Sequence, residues 1–134
     1  RRVLFRSQIE NCLAEIIKLN INNSNSKSYK VVKLSDGLDT INILLEDFSL
    51  NKNSVKLIIS DENMPIMNGS QSFQFINKLI KMNKVSNIPK LIYTALSEED
   101  ALAQIKKISE AEEVIKKPIS KKNLSDLLKK YLDI

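Results

Sequence analysis

The sequence has no histidine and no tryptophan, and only one cysteine, two glycines and three prolines among 134 residues. Without histidine, neither a Ser/His/Asp triad nor a histidine-ligated metal can be built from this chain. A lone Cys12 excludes an internal disulfide framework and suits a reducing compartment. Gly37 and Gly69 are too few for a glycine-rich phosphate loop, which weighs against a small flavin- or nucleotide-binding enzyme. No apolar run approaches the roughly 18–20 residues of a membrane span. Arginine is confined to Arg1, Arg2 and Arg6. Setting those three aside leaves 18 lysines against 16 acids, a net charge of +2 in place of +5. So small an excess, without clustered arginine, has little electrostatic footprint for DNA or RNA.

What is present is an ordinary globular composition, 43% hydrophobic and 28% charged, in a length that suits one domain. Ile9, Cys12, Leu13, Ile16 and Ile17 recur at helical spacing over about 8–19, before a polar loop from Asn20 to Ser28. A short strand is expected at Tyr29–Lys33, closed by the turn dipeptide Asp36-Gly37. Leu38, Ile41, Leu44, Leu45 and Phe48 mark a helix that Asn51-Lys-Asn-Ser54 ends. Val55 to Ser60 is the compact apolar run of a strand covered on both faces. Phe73, Ile76, Leu79 and Ile80 define another helix, and Lys90-Leu-Ile-Tyr-Thr94 another strand. Ser97, followed by Glu98, Glu99 and Asp100, is expected to cap a helix running to about 108. Glu113–Lys116 is a last short strand, and Ser120 caps a final helix carrying Leu124, Leu127, Leu128, Tyr131 and Leu132. Strands alternating with helices indicate a parallel α/β sheet, with a strand missing at the front.

In such sheets functional groups gather beyond the carboxyl ends of the strands. Three side chains fall there: Asp61, Thr94 and Lys117. A carboxylate, a hydroxyl and an ammonium on one edge make a phosphoryl-transfer site. These residues resemble the receiver (response-regulator) family. Asp61-Glu-Asn-Met64-Pro65-Ile-Met67-Asn-Gly69 matches its Asp-x-x-Met-Pro-x-Met-Asp-Gly signature, with Asn68 replacing the second aspartate. Thr94-Ala95 matches its switch threonine and small residue, and Lys117-Pro118 its lysine–proline motif, commonly a cis peptide. The resemblance spans about residues 8–134. It implies a flavodoxin-like doubly wound (βα)5 fold with strand order 2-1-3-4-5. It implies Asp61 as phosphoacceptor from a histidine kinase or phosphotransfer protein, Thr94 as switch hydroxyl and Lys117 as phosphate-binding residue. It further implies Mg²⁺ on the Asp61 carboxylate and the Asn63 backbone carbonyl, and a cytoplasmic signalling domain whose parent can be membrane-anchored. Nucleic acid and membrane are not among the expected partners.

Two departures qualify the match. The family holds its metal with an acidic pair at the end of the first strand, and counting back from Asn11 puts that pair where Arg6 and Ser7 stand. The stretch Arg1-Arg-Val-Leu-Phe-Arg-Ser7 is similar to the in-frame translation of a sequencing-library adapter. Residues 1–7 are therefore expected to be non-native, and 8–134 to be a receiver lacking its own first strand, with Val3-Leu-Phe5 filling the slot. Mg²⁺ binding is then expected to be weak or absent. Such a truncated receiver suggests the C-terminal part of a hybrid histidine kinase, with a single-domain regulator as the alternative. Second, Val114 stands where the family often has an aromatic switch residue. A degenerate receiver that binds a partner without being phosphorylated is the competing function. The pairs Lys106-Lys107, Lys121-Lys122 and Lys129-Lys130 read as solvated helix faces, and Cys12 as core.

Overall fold

Alternation along the central strands sets the architecture. In a computed structural model, which describes residues 2–6, 30–33, 37–63 and 67–132, five strands form one sheet. They are β1 (Arg2–Arg6), β2 (Lys30–Lys33), β3 (Val55–Asp61), β4 (Lys90–Thr94) and β5 (Glu113–Lys116). All pairings are parallel, in the order β2-β1-β3-β4-β5, the order the family resemblance implies. The slot expected to lack a native strand is occupied by Arg2–Arg6, whose Arg6 is in register with Ser60. The helices are α1 (Gly37–Ser49), α2 (Gly69–Lys81), α3 (Glu99–Ser109) and α4 (Lys121–Tyr131). The expected helix over 8–19, with Cys12, and the residues Ser7, Met64 and Pro65 lie outside the described residues.

Both faces of the sheet are covered, which is why β3 and β4 read as unbroken apolar runs. On one face Leu4, Ile58 and Ile92 pack with Ile41 and Leu44 of α1, Phe73 and Ile76 of α2 and Ile105 of α3. On the other, Val3, Leu57, Ile59, Leu91 and Tyr93 pack with Leu124 and Leu128 of α4 and with Leu132. Tyr131 ties α4 to β5: its hydroxyl donates to Glu113 Oε2 at 2.5 Å, beside Lys130 at 3.4 Å. Burial, that bond and the charges of Glu113 and Glu112 together push the phenol well above its ordinary range.

Two expectations about helices are corrected in detail. The buried stripe of α1 is Gly37, Thr40, Ile41, Leu44 and Asp47, whereas Leu38, Leu45 and Phe48 face outward. Asp47 is drawn inward by polar partners: it accepts from the Ser54 amide at 3.0 Å, from the Ser54 hydroxyl and from Arg2 Nη2 at 3.0 Å. Ser97 is not the cap of α3. The cap position is Glu98, which makes no side-chain hydrogen bond to the helix, so the acids Glu99 and Asp100 in the first turn supply the favourable charge. Ser120 does cap α4, accepting from Asn123 N at 3.1 Å. The lysine pairs of α3 and α4 are exposed, as expected.

The chain leaves its helices through left-handed residues that are not glycine: Asn51, Asn53, Asn83 and Glu110. Asparagine tolerates that region, but glutamate gains nothing from it. At Glu110, the C-cap of α3 with φ 51°, glycine should stabilise the fold by about 0.5–1 kcal/mol. Denaturant midpoints of Glu110→Gly and the parent measure this, and an unchanged or lower midpoint contradicts it. A further buried polar group, Lys90, starts β4 and donates to the Ile88 carbonyl at 3.2 Å. Burial pushes its ammonium below the ordinary lysine range, against the opposing charges of Glu112 and Glu110.

Candidate functional site

The carboxyl ends of β3, β4 and β5 deliver the three expected side chains to one edge. Asp61 is the last residue of β3, Thr94 the last of β4, and Lys117 follows β5 directly. Lys117 reaches back so that Nζ lies 2.5 Å from Asp61 Oδ1. That oxygen is buried and takes no hydrogen bond of normal geometry, so the lysine ammonium is its close partner among the described residues. The Asp61 side chain is 18% exposed and that of Lys117 36%, which leaves the pair at the mouth of the site and reachable from solvent. The Lys117–Pro118 peptide is cis, as the family motif suggests.

Thr94 joins the pair through its backbone: its carbonyl accepts from Lys117 N at 2.7 Å. Its hydroxyl is buried and accepts from Leu96 N at 3.2 Å, which folds the loop after β4 back onto the strand end. The structure therefore brings Asp61 and Lys117 into contact and places Thr94 beside Lys117 with its oxygen engaged locally. Asn63 is exposed in the loop after Asp61.

That loop is held at its base by residues that short-range patterns do not pick out. Glu62 is buried, and its carboxylate accepts from Ser70 N at 2.7 Å and Ser70 Oγ at 2.5 Å. The Glu62 carbonyl accepts from Gly69 N at 3.0 Å. Asn68 closes a capping box with Gln71, accepting from Gln71 N at 2.7 Å, and its carbonyl accepts from Ser72 N at 3.0 Å. The first four amides of α2 are thus all paired inside the chain, so this helix start offers no free donors to an anion. Gly69 is needed for space, since its φ is not positive. A Cβ there would sit 2.6 Å from the Asp61 carbonyl oxygen and 2.9 Å from Ile92 Cδ1.

The described residues do not assemble a magnesium site. No group of three acidic, histidine or cysteine side chains converges among them. The Asp61 oxygen nearest a cation already faces the lysine, and the Glu62 carboxylate is turned away onto Ser70. Position 6 on the neighbouring strand is occupied by arginine, in register with Ser60.

Fold and site together define a class: parallel α/β domains in which an aspartate and a lysine meet above the carboxyl edge of the sheet. The sequence matches the response regulator receiver domain over residues 10–129, and the chain belongs to that family. Among solved structures it is similar to the chemotaxis protein CheY4 of Vibrio cholerae, with 22% identity, 98% of each chain covered and a TM-score of 0.67. It is also similar to the receiver domain of the histidine kinase CKI1 of Arabidopsis thaliana in complex with Mg²⁺ and BeF3⁻. There the identity is 16%, the coverage 98% of this chain and 89% of that one, and the TM-score 0.71. A response regulator receiver domain of Clostridium thermocellum gives 19% identity, coverage of 98% and 94%, and a TM-score of 0.68. At these identities the likeness speaks to the fold. No curated protein matches the sequence.

The residues at the site that sequence reasoning missed are Tyr93 and Glu62; Tyr93 lies under Lys117. Tyr93 is the one aromatic residue of β4, beside Leu91 and Ile92, and that oddity was the available signal. For Glu62 there was none, because its partner Ser70 is eight residues away and is brought near only by the loop.

Proposed function

We propose that this receiver domain accepts a phosphoryl group on Asp61 within a two-component phosphorelay. The observation that carries the reading is the contact between Asp61 and Lys117 at the mouth of the site, 2.5 Å apart. A carboxylate oxygen of Asp61 attacks phosphorus. The bond from phosphorus to the donor breaks, and the leaving imidazole of a kinase or phosphotransfer protein keeps that electron pair. Lys117 passes from the carboxylate to the phosphoryl oxygens, where a cation stabilises the charge that develops. The Thr94 hydroxyl, which accepts from Leu96 N, turns its own proton towards the phosphoryl group and so couples occupancy to the loop after β4. Asn63 would lend a backbone carbonyl to Mg²⁺, but with Arg6 and Ser7 in place of an acidic pair the metal binds this chain poorly. The domain acts on no external substrate, sits in the cytoplasm and takes part in its own phosphorylation.

The test uses the chain carrying Arg6→Asp and Ser7→Asp, with acetyl phosphate and Mg²⁺, followed by intact-mass analysis. One acid-labile phosphate is expected, and none in the same chain with Asp61→Asn. An unchanged mass in the Asp61-containing chain defeats the proposal. A second reading, a receiver that binds its partner unphosphorylated, is favoured by the absence of a three-acid cluster among the described residues. It predicts that same unchanged mass together with binding to a histidine kinase.

A further inference from the structure

Tyr93 is the register partner of Asp61 across β3 and β4, immediately before Thr94. Its ring lies beneath Lys117, with Nζ 5.0 Å from the ring centroid. Its hydroxyl accepts from Ile119 N at 3.3 Å, just beyond the Lys117–Pro118 peptide. One side chain therefore touches both the head of Lys117 and the backbone that follows it.

A buried tyrosine in the cluster of Leu57, Ile59, Leu91, Leu124 and Leu128 is first of all a packing residue. Packing alone, however, accounts for neither polar contact, and leucine or isoleucine fills such a slot in the neighbouring strand positions. The chemistry of lysine makes the contacts informative. Its ammonium rides on four rotatable bonds and carries large rotamer freedom, so a lysine that must meet one carboxylate needs something to hold it. The electron-rich face of an aromatic ring attracts a cation at this distance. Fixing Ile119 N shortens the free stretch of chain from which Lys117 extends.

We propose that Tyr93 is a positioning residue for Lys117: its ring holds the ammonium over Asp61, and its hydroxyl anchors the backbone after Lys117. The proposal rests on the reading of Asp61 and Lys117 as the phosphoryl-accepting pair, but the placement of Lys117 can be measured without any phosphate. In proton NMR of the full chain, the ε-methylene of Lys117, assigned by its loss in Lys117→Met, should lie upfield of free lysine because of the ring beneath it. Tyr93→Phe should keep that shift and Tyr93→Leu should abolish it. With acetyl phosphate and the acidic pair restored, Tyr93→Leu should be phosphorylated about tenfold more slowly, and Tyr93→Phe within about threefold of the parent. Leu124→Ala, a cavity in the same cluster, should change neither the shift nor the rate at a temperature where all variants are folded. A Lys117 ε-methylene at the free-lysine position in the parent overturns the proposal, as does equal slowing by Leu124→Ala. A parent that shows the shift and takes no phosphate upholds the positioning role and overturns the phosphoryl reading instead.

Discussion

Gly69→Ala should destabilise the domain by about 1–3 kcal/mol, as overpacking at a tight backbone contact does. The added methyl would lie 2.6 Å from the Asp61 carbonyl oxygen, and its second neighbour is Ile92 Cδ1 at 2.9 Å. Ile92 is fully buried, so its methyl has little room to withdraw. The backbone oxygen belongs to the last residue of a central strand and cannot shift without taking the Asp61 carboxylate with it. Relief must come from parting α2 from β3, which stretches the 3.0 Å bond from Gly69 N to the Glu62 carbonyl. The variant should therefore lose stability and slow the phosphorylation of Asp61 together. Urea unfolding read as a change in midpoint at constant slope measures the first, and phosphate incorporation the second. A midpoint within about 0.5 kcal/mol of the parent refutes the contact.

The second large effect is expected far from the site, at Asp47. Its carboxylate is buried and accepts from Ser54 N, Ser54 Oγ and Arg2 Nη2. Alanine there leaves three donors without their acceptor, a loss of about 2–4 kcal/mol. The effect also has a pH signature. Burial pushes the Asp47 carboxyl up, but the bonds from the Ser54 hydroxyl and amide, from Arg2 and from the Val55 amide outweigh it and hold it below the ordinary range. A carboxylate depressed in the folded state contributes stability that is complete above its unfolded value, about pH 4, and is lost as pH falls through the folded value. The parent's advantage over Asp47→Ala should therefore be constant from neutral pH down to about pH 5 and shrink below about pH 4. Unfolding free energies measured across that range decide it. An advantage that stays constant down to pH 2 would mean that the bonds act through shape rather than charge.

Arg2 shows where the sequence was legible and where it was not. Strands β3 and β4 could be read because apolar runs of strand length end at Asp61 and Thr94, and strand ends are where an α/β sheet displays chemistry. Lys117 followed from the same rule. The Arg2–Asp47–Ser54 cluster joins positions 45 and 52 residues apart, which only the pairing of β1 beside β3 brings together. Arg2 had been set aside with the adapter-like segment, yet its guanidinium is a structural partner here. The outward stripe of α1 was misjudged for the same reason. Leu38, Leu45 and Phe48 carry the helical period, but Asp47 has the inward position because its hydrogen-bond donors lie there. Ser97 was misread because a hydroxyl near a run of acids is a local signal, while the helix start is fixed one residue later. Tyr93 and Glu62 act through residues 24 and eight positions away in the chain, beyond the reach of any periodicity.

The pairing of every early amide in α2 has a mechanical consequence. One side of the site, where Asp61 and Glu62 meet Gly69 and Ser70, is cross-braced by buried bonds and a glycine contact, and it opens only if several of them break together. The loop after Thr94, residues 95–100, is exposed throughout and enters α3 without a side-chain cap. If Asp61 is displaced, more resistance is expected from the braced side than from the loop after Thr94, where Leu96 N to Thr94 Oγ1 is the bond at the strand end. Asp61 thus stands on the braced side of the site, and the loop after Thr94 is the exposed one.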